Sequence, residues 1–208
     1  MTHQVILDAG PALSFFSIRK ERILVYSVGG SLSAPESVQT EVVRKANKNR
    51  RFQAAEGVWN ALVASNRLTI LSDDVTAELA TAVGRISNVP MAERLTAGKD
   101  LGEVMVVAHA AVQAEAGQHV VVLIDDGQGA QLATSEMRRL KRLEAAGRPV
   151  GTIRLMNTTT VLKRAAGSVH LADRAAMRRI YQQLQELDDG LVDIRRSGLL
   201  SAGTWPKA

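Results

Sequence analysis

Five acidic residues have the side-chain type and the positions along the chain that metal-assisted chemistry requires. They are Asp8, Glu41, Glu103, Asp125 and Asp126. Carboxylates that gather in one place repel one another, and their pKa values rise unless a cation neutralises them. Grouped hard oxygen ligands of this kind select Mg²⁺ or Mn²⁺. Such an ion lowers the pKa of a bound water, orients it against a phosphodiester and stabilises the departing oxygen, so these residues suggest hydrolysis of nucleic acid.

Short apolar runs predict the strands that would position these acids. The predicted strands cover residues 5–7, 32–34, 68–71, 120–124 and 152–155. Segments with helical spacing of apolar residues separate them, and this alternation is typical of a parallel α/β sheet with right-handed crossovers. In an open parallel sheet the ligand site lies at the carboxyl ends of the strands. Asp8 follows the first predicted strand, and Asp125 and Asp126 follow the fourth, so we expect them at one edge of the sheet.

Predicted helices place the other two acids at the same edge. Pro35 opens a helix, and Glu41 lies one to two turns into it. Glu103 lies near the start of a mostly apolar crossover helix over residues 101–115. Further helices are predicted from Pro11, over 52–64, from Gly127 through Arg142, and over 158–196. Another predicted helix runs through Val83 and ends at Gly84, and its N-cap is supplied by Ser72, Asp73 and Asp74. Residues 89–98 are predicted as an irregular connector or short helix, and residues 23–28 as either helix or strand.

Composition restricts the class of protein. The chain has 208 residues, of which 46% are hydrophobic and 3% aromatic, so one domain with aliphatic layers of helix on sheet is expected. The absence of cysteine excludes disulfides, thiolate zinc sites and cysteine nucleophiles. The start MTHQVILDAG lacks the features of a signal peptide, and no apolar run approaches the roughly 18 residues of a membrane span, which predicts a cytoplasmic protein without membrane contact. The net charge of +5 favours a polyanionic partner.

Four segments around the acids resemble the acidic motifs of a known nuclease family. The segments are VILDAGPALSFF, SAPESVQTEVV, DLGEVMVVAHA and VVVLIDDGQGAQLA. In order and spacing they are similar to the four motifs of PIN-domain ribonucleases, especially toxins of the VapC type. The resemblance covers about residues 4–166 and implies a PIN-like, Rossmann-like parallel sheet of about five strands flanked by helices. We therefore expect a nuclease domain over 1–166 and a helical C-terminal extension and tail over 167–208.

The resemblance also implies a function and partners. It implies a Mg²⁺- or Mn²⁺-dependent endoribonuclease and, for the toxin branch, a type II toxin–antitoxin pair in which a cognate antitoxin protein neutralises the enzyme. Asp8, Glu41 and Glu103 match the first three acids, whereas the fourth motif aligns on either Asp125 or Asp126. All five are thus candidate catalytic residues. The candidate metal ligands are Asp8, Glu103, Asp125 and Asp126.

Other interpretations of the acids compete with this one. Singly, each could be a turn residue, a helix cap, a solvated helix charge or a partner of a helix dipole, but their joint placement favours the functional interpretation. A haloacid-dehalogenase-like phosphatase would need a second Asp two residues after Asp8, where the chain has Gly10. A phosphoacceptor receiver domain would place its acid pair after the first strand rather than the fourth. The remaining alternative is a catalytically inactive PIN-like fold that serves as an RNA-binding or protein-interaction module.

Surface residues suggest further contacts. Two basic runs could bind phosphates, although solvated helix faces are the commoner explanation. The runs are Lys45, Lys48, Arg50 and Arg51, and Arg138, Arg139, Lys141 and Arg142. Phe52, Val58 and Leu62 could line the surface of a homodimer or of an antitoxin complex. His109 is expected to pack on the crossover helix, since no second histidine stands at metal-binding spacing from it.

Overall fold

Five parallel strands form one sheet in the computed structural model of the protein, which describes residues 4–29, 32–98 and 100–206. The strands are β1 Gln4–Leu7, β2 Leu32–Pro35, β3 Leu68–Leu71, β4 His119–Leu123 and β5 Thr152–Met156. They lie in the order β3-β2-β1-β4-β5, and every neighbouring pair is parallel. This confirms the predicted α/β class with a Rossmann-like parallel sheet.

The strand order contains a switch point between β1 and β4. The chain adds β2 and β3 on one side of β1, and then crosses to the other side to add β4 and β5. Leu7 at the end of β1 pairs with Leu123 at the end of β4. The crossovers on the two sides of this point leave a crevice at the carboxyl ends of the strands, where ligands bind in open α/β sheets. Both acid-bearing turns, after β1 and after β4, open into it.

Helices connect all five strands and cover the sheet. Their bounds are α1 Ala9–Ser17, α2 Glu21–Val28, α3 Glu36–Lys48, α4 Gln53–Ala64, α5 Ala77–Ser87, α6 Met91–Thr96, α7 Leu101–Glu115, α8 Gly127–Ala145, α9 Thr158–Ala165 and α10 Arg174–Gln185. Short 3-10 segments precede α4 at Arg50–Phe52 and lie near the C-terminus at Ala202–Thr204. The ambiguous run 23–28 is thus helical. Among the residues that the structure describes, no helix is long and apolar enough to cross a membrane.

The core consists mainly of aliphatic side chains between the sheet and its helices. The strands β1 and β4 are buried over almost their whole length, and α7 buries residues on nearly all sides, as predicted for a central crossover helix. Burial of branched aliphatic side chains removes apolar surface from water and is the main stabilising contribution to such a layer. Among the described aromatic residues, Phe16 and Trp59 form an edge-to-face contact in the core, with their rings 6.2 Å apart at 66°.

Helices α1 and α5 have boundaries that differ from the sequence prediction. Helix α1 begins at Ala9 rather than near Pro11, because Asp8 is its N-cap. The predicted cap of α5 was wrong: its N-cap is Thr76, whose hydroxyl accepts a hydrogen bond from the Leu79 N–H at 3.2 Å. The helix also continues through Gly84, because a helical glycine costs only about 1 kcal/mol relative to alanine, and it ends before Asn88 in the left-handed conformation.

Asp73 connects separate helices instead of capping the one that follows it. Its Oδ2 accepts a hydrogen bond from the backbone N–H of Ser37 at 2.7 Å, and its Oδ1 lies 3.0 Å from Nε2 of His109. The carboxylate therefore accepts a hydrogen bond from the first turn of α3 and links this helix to α7. Sequence spacing gives no sign of this role, since the partners lie 36 residues away on either side.

The C-terminal extension is helical only in part. The stretch 158–196, predicted as one helical region, contains α9 and α10 with a break between them, and turns follow α10. Gly167 lies in the break with φ of +81°, a conformation that L side chains rarely adopt and that a helix cannot contain. Met177, Tyr181 and Leu199 are fully buried in the same cluster as the strands. The extension is thus packed against the sheet domain.

Candidate functional site

A cavity of about 920 Å³ opens at the carboxyl edge of the sheet, and all five predicted acids line it. They come from four segments of the chain: Asp8 after β1, Glu41 from α3, Glu103 from α7, and Asp125 and Asp126 after β4. The prediction that these acids share one sheet edge is therefore met by their positions. Their environments differ, however, and the differences distinguish their roles.

Asp8 is the most enclosed of the five acids, with only 5% of its surface exposed. Its Oδ2 accepts a hydrogen bond from the backbone N–H of Gly10 at 3.2 Å, so the carboxylate caps α1. Burial raises the pKa of Asp8 to about 6, and the negative charge of Glu41 adds to the increase, while the backbone N–H groups of Gly10 and Ala9 oppose it. A buried carboxyl of this kind stays partly protonated near neutral pH unless a positive charge approaches it.

Glu41 lies in the second turn of α3 and reaches the same space because α7 passes close by. A Cβ atom on Gly102 would lie 3.2 Å from Glu41 Oε2 and 3.8 Å from Asp8 Oδ1. The absence of a side chain at Gly102 therefore keeps open the space between these two carboxylates. The other oxygen of Glu41, Oε1, is 2.6 Å from Nζ of Lys45, one turn further along α3.

Glu103 is half-buried, and its carboxyl has a raised pKa. Its pKa is raised to about 7, mainly by burial and then by the charges of Asp126, Asp8, Asp100 and Glu41 in that order. Within the described ranges its Oε2 is buried and has no hydrogen-bond partner. A buried carboxylate oxygen without a donor is costly, so this atom is available to a proton or to a bound cation.

Asp125 and Asp126 are adjacent but face different partners. Asp125 accepts hydrogen bonds from Thr158, at 2.7 Å from the backbone N–H and 2.6 Å from the hydroxyl. Burial raises the pKa of Asp125, while these two bonds lower it and the charge of Asp188 raises it again. Asp126 is exposed and uses Oδ1 to cap α8, through the N–H groups of Gln128 and Gly129 at 2.6 and 3.2 Å. Of the two, it is Asp126 whose charge raises the pKa of Glu103.

A part of the site was missed by sequence reasoning. Residues of the C-terminal extension between 187 and 197 form one wall of the cavity, including Asp188 and Arg196, and Lys163 of α9 also lines it. The sequence offered one signal: the triplet Asp-Asp-Gly that follows β4 recurs at 188–190, where it resembles an ordinary turn. Which side of the sheet this turn covers depends on how α10 packs, and helical periodicity does not reveal that.

The donor set of the cavity fits a divalent cation in chemistry and in charge. Its acids offer hard oxygens, Glu103 has a buried oxygen without a partner among the described residues, and the pKa values of Asp8 and Glu103 are raised mainly by burial and further by neighbouring carboxylates. As the side chains stand, no group of three or more His, Asp or Glu residues in the described part of the chain is close enough to hold one ion. Binding would thus require side-chain movements that bring the oxygens together.

The residues of the predicted basic runs and of the predicted apolar surface lie in different environments. In the basic runs, Lys45 pairs with Glu41, and Arg139 pairs with Glu115 and with Glu136, the latter at 2.8 Å. These two cations therefore have structural partners. Phe52 lines the acidic cavity. Val58 and Leu62 line a separate groove, and Leu62 is only 6% exposed. A homodimer or antitoxin surface at these residues stays a prediction.

Comparisons of the chain with protein-family models, with curated proteins and with solved structures find no match. The PIN-domain resemblance of the four acidic segments therefore stays a prediction. What the fold and the site define is an α/β protein with a carboxylate-lined cavity at the switch point of its sheet.

Proposed function

We propose that the protein is a Mg²⁺- or Mn²⁺-dependent endoribonuclease whose catalytic residues are Asp8, Glu103 and Asp126. The observation that carries the proposal is the convergence of carboxylates from four segments on one cavity at the switch point, with the pKa of Asp8 and of Glu103 raised well above the ordinary range. Perturbed carboxyls in a cavity of this kind are typical of functional sites. The similarity of the four acidic motifs to PIN-domain ribonucleases supports the choice of RNA as substrate.

Asp8, Glu103 and Asp126 are the residues that would hold the ion. A bound divalent cation supplies charge stabilisation at a phosphodiester and an activated water at neutral pH. Asp8 is fixed for this task because it is buried and its Oδ2 is held by Gly10. Asp126 is held through Oδ1 by the N-terminus of α8. Glu103 contributes an oxygen that has no hydrogen-bond donor among the described residues.

Glu41 and Asp125 have supporting roles in this proposal. Glu41 adds negative charge beside Asp8 and is itself steadied by Lys45 at 2.6 Å. Asp125 serves as an anchor between the turn after β4 and the start of α9, because its two oxygens accept hydrogen bonds from Thr158. The fourth acid of the predicted motif is therefore assigned to Asp126.

A protein partner is proposed on the family resemblance. In a toxin–antitoxin pair, a small cognate antitoxin would place a basic side chain among the carboxylates, since an Arg guanidinium forms two hydrogen bonds with a carboxylate and supplies the missing positive charge. Coexpression with the neighbouring open reading frame, followed by co-purification and a growth assay, tests this. A chain that is harmless alone and is not inhibited by the neighbouring product would remove the toxin proposal and leave the nuclease proposal standing.

The nuclease proposal is tested by RNA cleavage with Mn²⁺, with Mg²⁺ and with excess chelator. The purified protein should cleave only when a divalent ion is present, and Asp8→Ala should abolish cleavage. Asp74→Ala is the matched control, because Asp74 is an exposed acid outside the cavity, and it should cleave like the unsubstituted protein. Circular dichroism would verify that both variants are folded. Full activity of Asp8→Ala, or activity in chelator, would refute the mechanism, and complete inactivity of all proteins would favour the alternative of a non-catalytic binding module.

A further inference from the structure

The C-terminal wall of the cavity is fixed to the body of the protein. The Tyr181 hydroxyl in α10 donates a hydrogen bond to the backbone carbonyl of Val192 at 2.7 Å, and Nε2 of Gln185 donates to the same carbonyl at 3.2 Å. Leu191 and Ile194 pack against the hydrophobic core. Because the backbone is held at several points, side chains that project from this wall keep a defined position relative to the acids.

Two cations that line the cavity have no partner among the residues that the structure describes. Lys163 of α9 and Arg196 of the C-terminal wall both line it, both are exposed, and neither side chain forms an ion pair or hydrogen bond with the residues that the structure describes. Lys45, by contrast, is bound to Glu41 at 2.6 Å. The charges of Lys163 and Arg196 are thus not used within the fold, although six acids line the same cavity.

A polyanion that enters this cavity meets more negative than positive charge. The acids Asp8, Glu41, Glu103, Asp125, Asp126 and Asp188 line it, against the cations Lys45, Lys163 and Arg196. A nucleic-acid strand carries one negative charge per phosphate and would be repelled unless cations of the protein bind its phosphates. Arginine binds phosphate through two parallel hydrogen bonds, and lysine binds it as a compact point charge.

From these observations we infer that Lys163 and Arg196 bind the backbone phosphates of the RNA strand beside the acidic cluster, so that α9 and the C-terminal wall form the substrate-binding side of the cavity. This inference rests on the proposed function for the identity of the strand. It assigns the extension after residue 166 a direct part in the site. Lys163 and Arg196 are binding residues in this arrangement, while the acids of the proposed site carry the chemistry.

Binding of a fluorescein-labelled short single-stranded RNA, measured by anisotropy in excess chelator over a range of salt concentrations, tests the inference. Each phosphate contact contributes about 0.7 to the slope of log affinity against log salt for a single strand. We expect Lys163→Gln and Arg196→Gln each to weaken binding at low salt and to lower the slope by about 0.7, and the double variant to lower it by about twice that.

Matched controls remove the same charge outside the cavity. Arg195→Gln changes the neighbouring residue, which is exposed but does not line the cavity, and Lys141→Gln changes an exposed lysine of α8. Both should keep the slope of the unsubstituted protein. The inference is overturned if the controls lose as much affinity as Lys163→Gln and Arg196→Gln, if no variant changes the slope, or if the unsubstituted protein does not bind the RNA.

Failure of this inference and failure of the proposed function are distinguishable. Chelator suppresses any metal-dependent cleavage, so the binding slope reports the phosphate contacts alone. A protein that binds RNA through Lys163 and Arg196 but never cleaves it would support the contacts and remove the nuclease. Metal-dependent cleavage with unchanged slopes in Lys163→Gln and Arg196→Gln would keep the nuclease and remove the contacts.

Discussion

Thr158 donates hydrogen bonds to both carboxylate oxygens of Asp125, from its backbone N–H to Oδ1 at 2.7 Å and from its hydroxyl to Oδ2 at 2.6 Å. These bonds occupy the carboxylate and connect the turn after β4 to the first turn of α9. Asp126, one residue further, keeps Oδ2 free of any hydrogen bond to the described residues and influences the pKa of Glu103. Two adjacent acids therefore have separate tasks.

The first prediction contrasts Asp125→Asn with Asp126→Asn. Asparagine is as good an N-cap as aspartate, so Asp126→Asn should stay folded and lose the charge that the site needs. We expect it to reduce RNA cleavage on the order of 10²-fold or more. Asp125→Asn keeps a carbonyl that can accept the Thr158 N–H, and it should retain most of the activity. Single-turnover rates of RNA cleavage by the two variants test this expectation. A larger loss of rate in Asp125→Asn than in Asp126→Asn would assign the fourth acid of the predicted motif to Asp125.

The second prediction concerns the pH dependence of stability without metal. The pKa of Asp8 rises from an ordinary value of 3.8 to about 6 on folding, mainly through burial. Between about pH 4 and pH 6 the folded state thus binds more protons than the unfolded state, and the free energy of unfolding falls as the pH rises through this window. Asp8→Asn removes this contribution. The free energy of unfolding of Asp8→Asn, minus that of the unsubstituted protein, should therefore be roughly 3 kcal/mol larger at pH 8 than at pH 3.

Urea unfolding in chelator at several pH values measures this effect. The exposed residue Asp74 supplies the control, because Asp74→Asn removes an acid outside the cavity and should show no comparable gain at high pH. Glu103 has a raised pKa of about 7 and should extend the fall in stability toward neutral pH, both in the unsubstituted protein and in the Asp8→Asn variant. An advantage of Asp8→Asn that is constant across the pH range would contradict the assigned cause of the shift.

A third prediction uses two helical glycines with opposite surroundings. A Cβ at Gly129 would lie 2.9 Å from Cγ2 of Ile124 and 3.3 Å from Cγ of Glu103. Gly129→Ala should therefore displace Glu103, lower the rate of RNA cleavage and reduce the free energy of unfolding by about 1–3 kcal/mol. Gly57 in α4 has no atom within 4 Å of such a Cβ, so Gly57→Ala should raise the free energy of unfolding by about 0.5–1 kcal/mol and leave cleavage unchanged.

Thermal or urea unfolding and a cleavage assay on both glycine variants provide the comparison. Each change adds one methyl group to a glycine within a helix, but only at Gly129 does the added Cβ meet neighbouring side chains, so the local packing separates the two variants. If Gly129→Ala were as stable and as active as Gly57→Ala, this result would contradict the close packing of α7 against α8 at Glu103.

Much of the fold could be predicted because the sequence signals were local. The aliphatic run 120–124 predicted β4 to within a residue at each end, and the turn after it placed Asp125 and Asp126 correctly. The alternation of strands and helices was enough to predict the parallel sheet. The common sheet edge of Asp8, Asp125 and Asp126 followed from topology, since carboxyl ends of parallel strands lie on the same side, and the predicted helices placed Glu41 and Glu103 at that edge.

The features that were missed depend on distant contacts. The bond between Asp125 and Thr158 joins residues 33 positions apart, so adjacent acids could not be told apart from the sequence. The C-terminal wall depends on burial of Tyr181 and on its bond to Val192. The break between α9 and α10 follows from the positive φ of Gly167, which a helical pattern of apolar residues on either side conceals.

Anomalous diffraction from a crystal soaked with Mn²⁺ locates a bound ion and its ligands without reference to activity, and it therefore tests the proposed metal site itself. We expect an anomalous peak in the cavity in contact with carboxylate oxygens of Asp8, Glu103 and Asp126, and no such peak in crystals of Asp8→Asn. A cavity without a peak at Mn²⁺ concentrations that saturate surface sites, or an ion held only by Asp125 and Asp188, would contradict it.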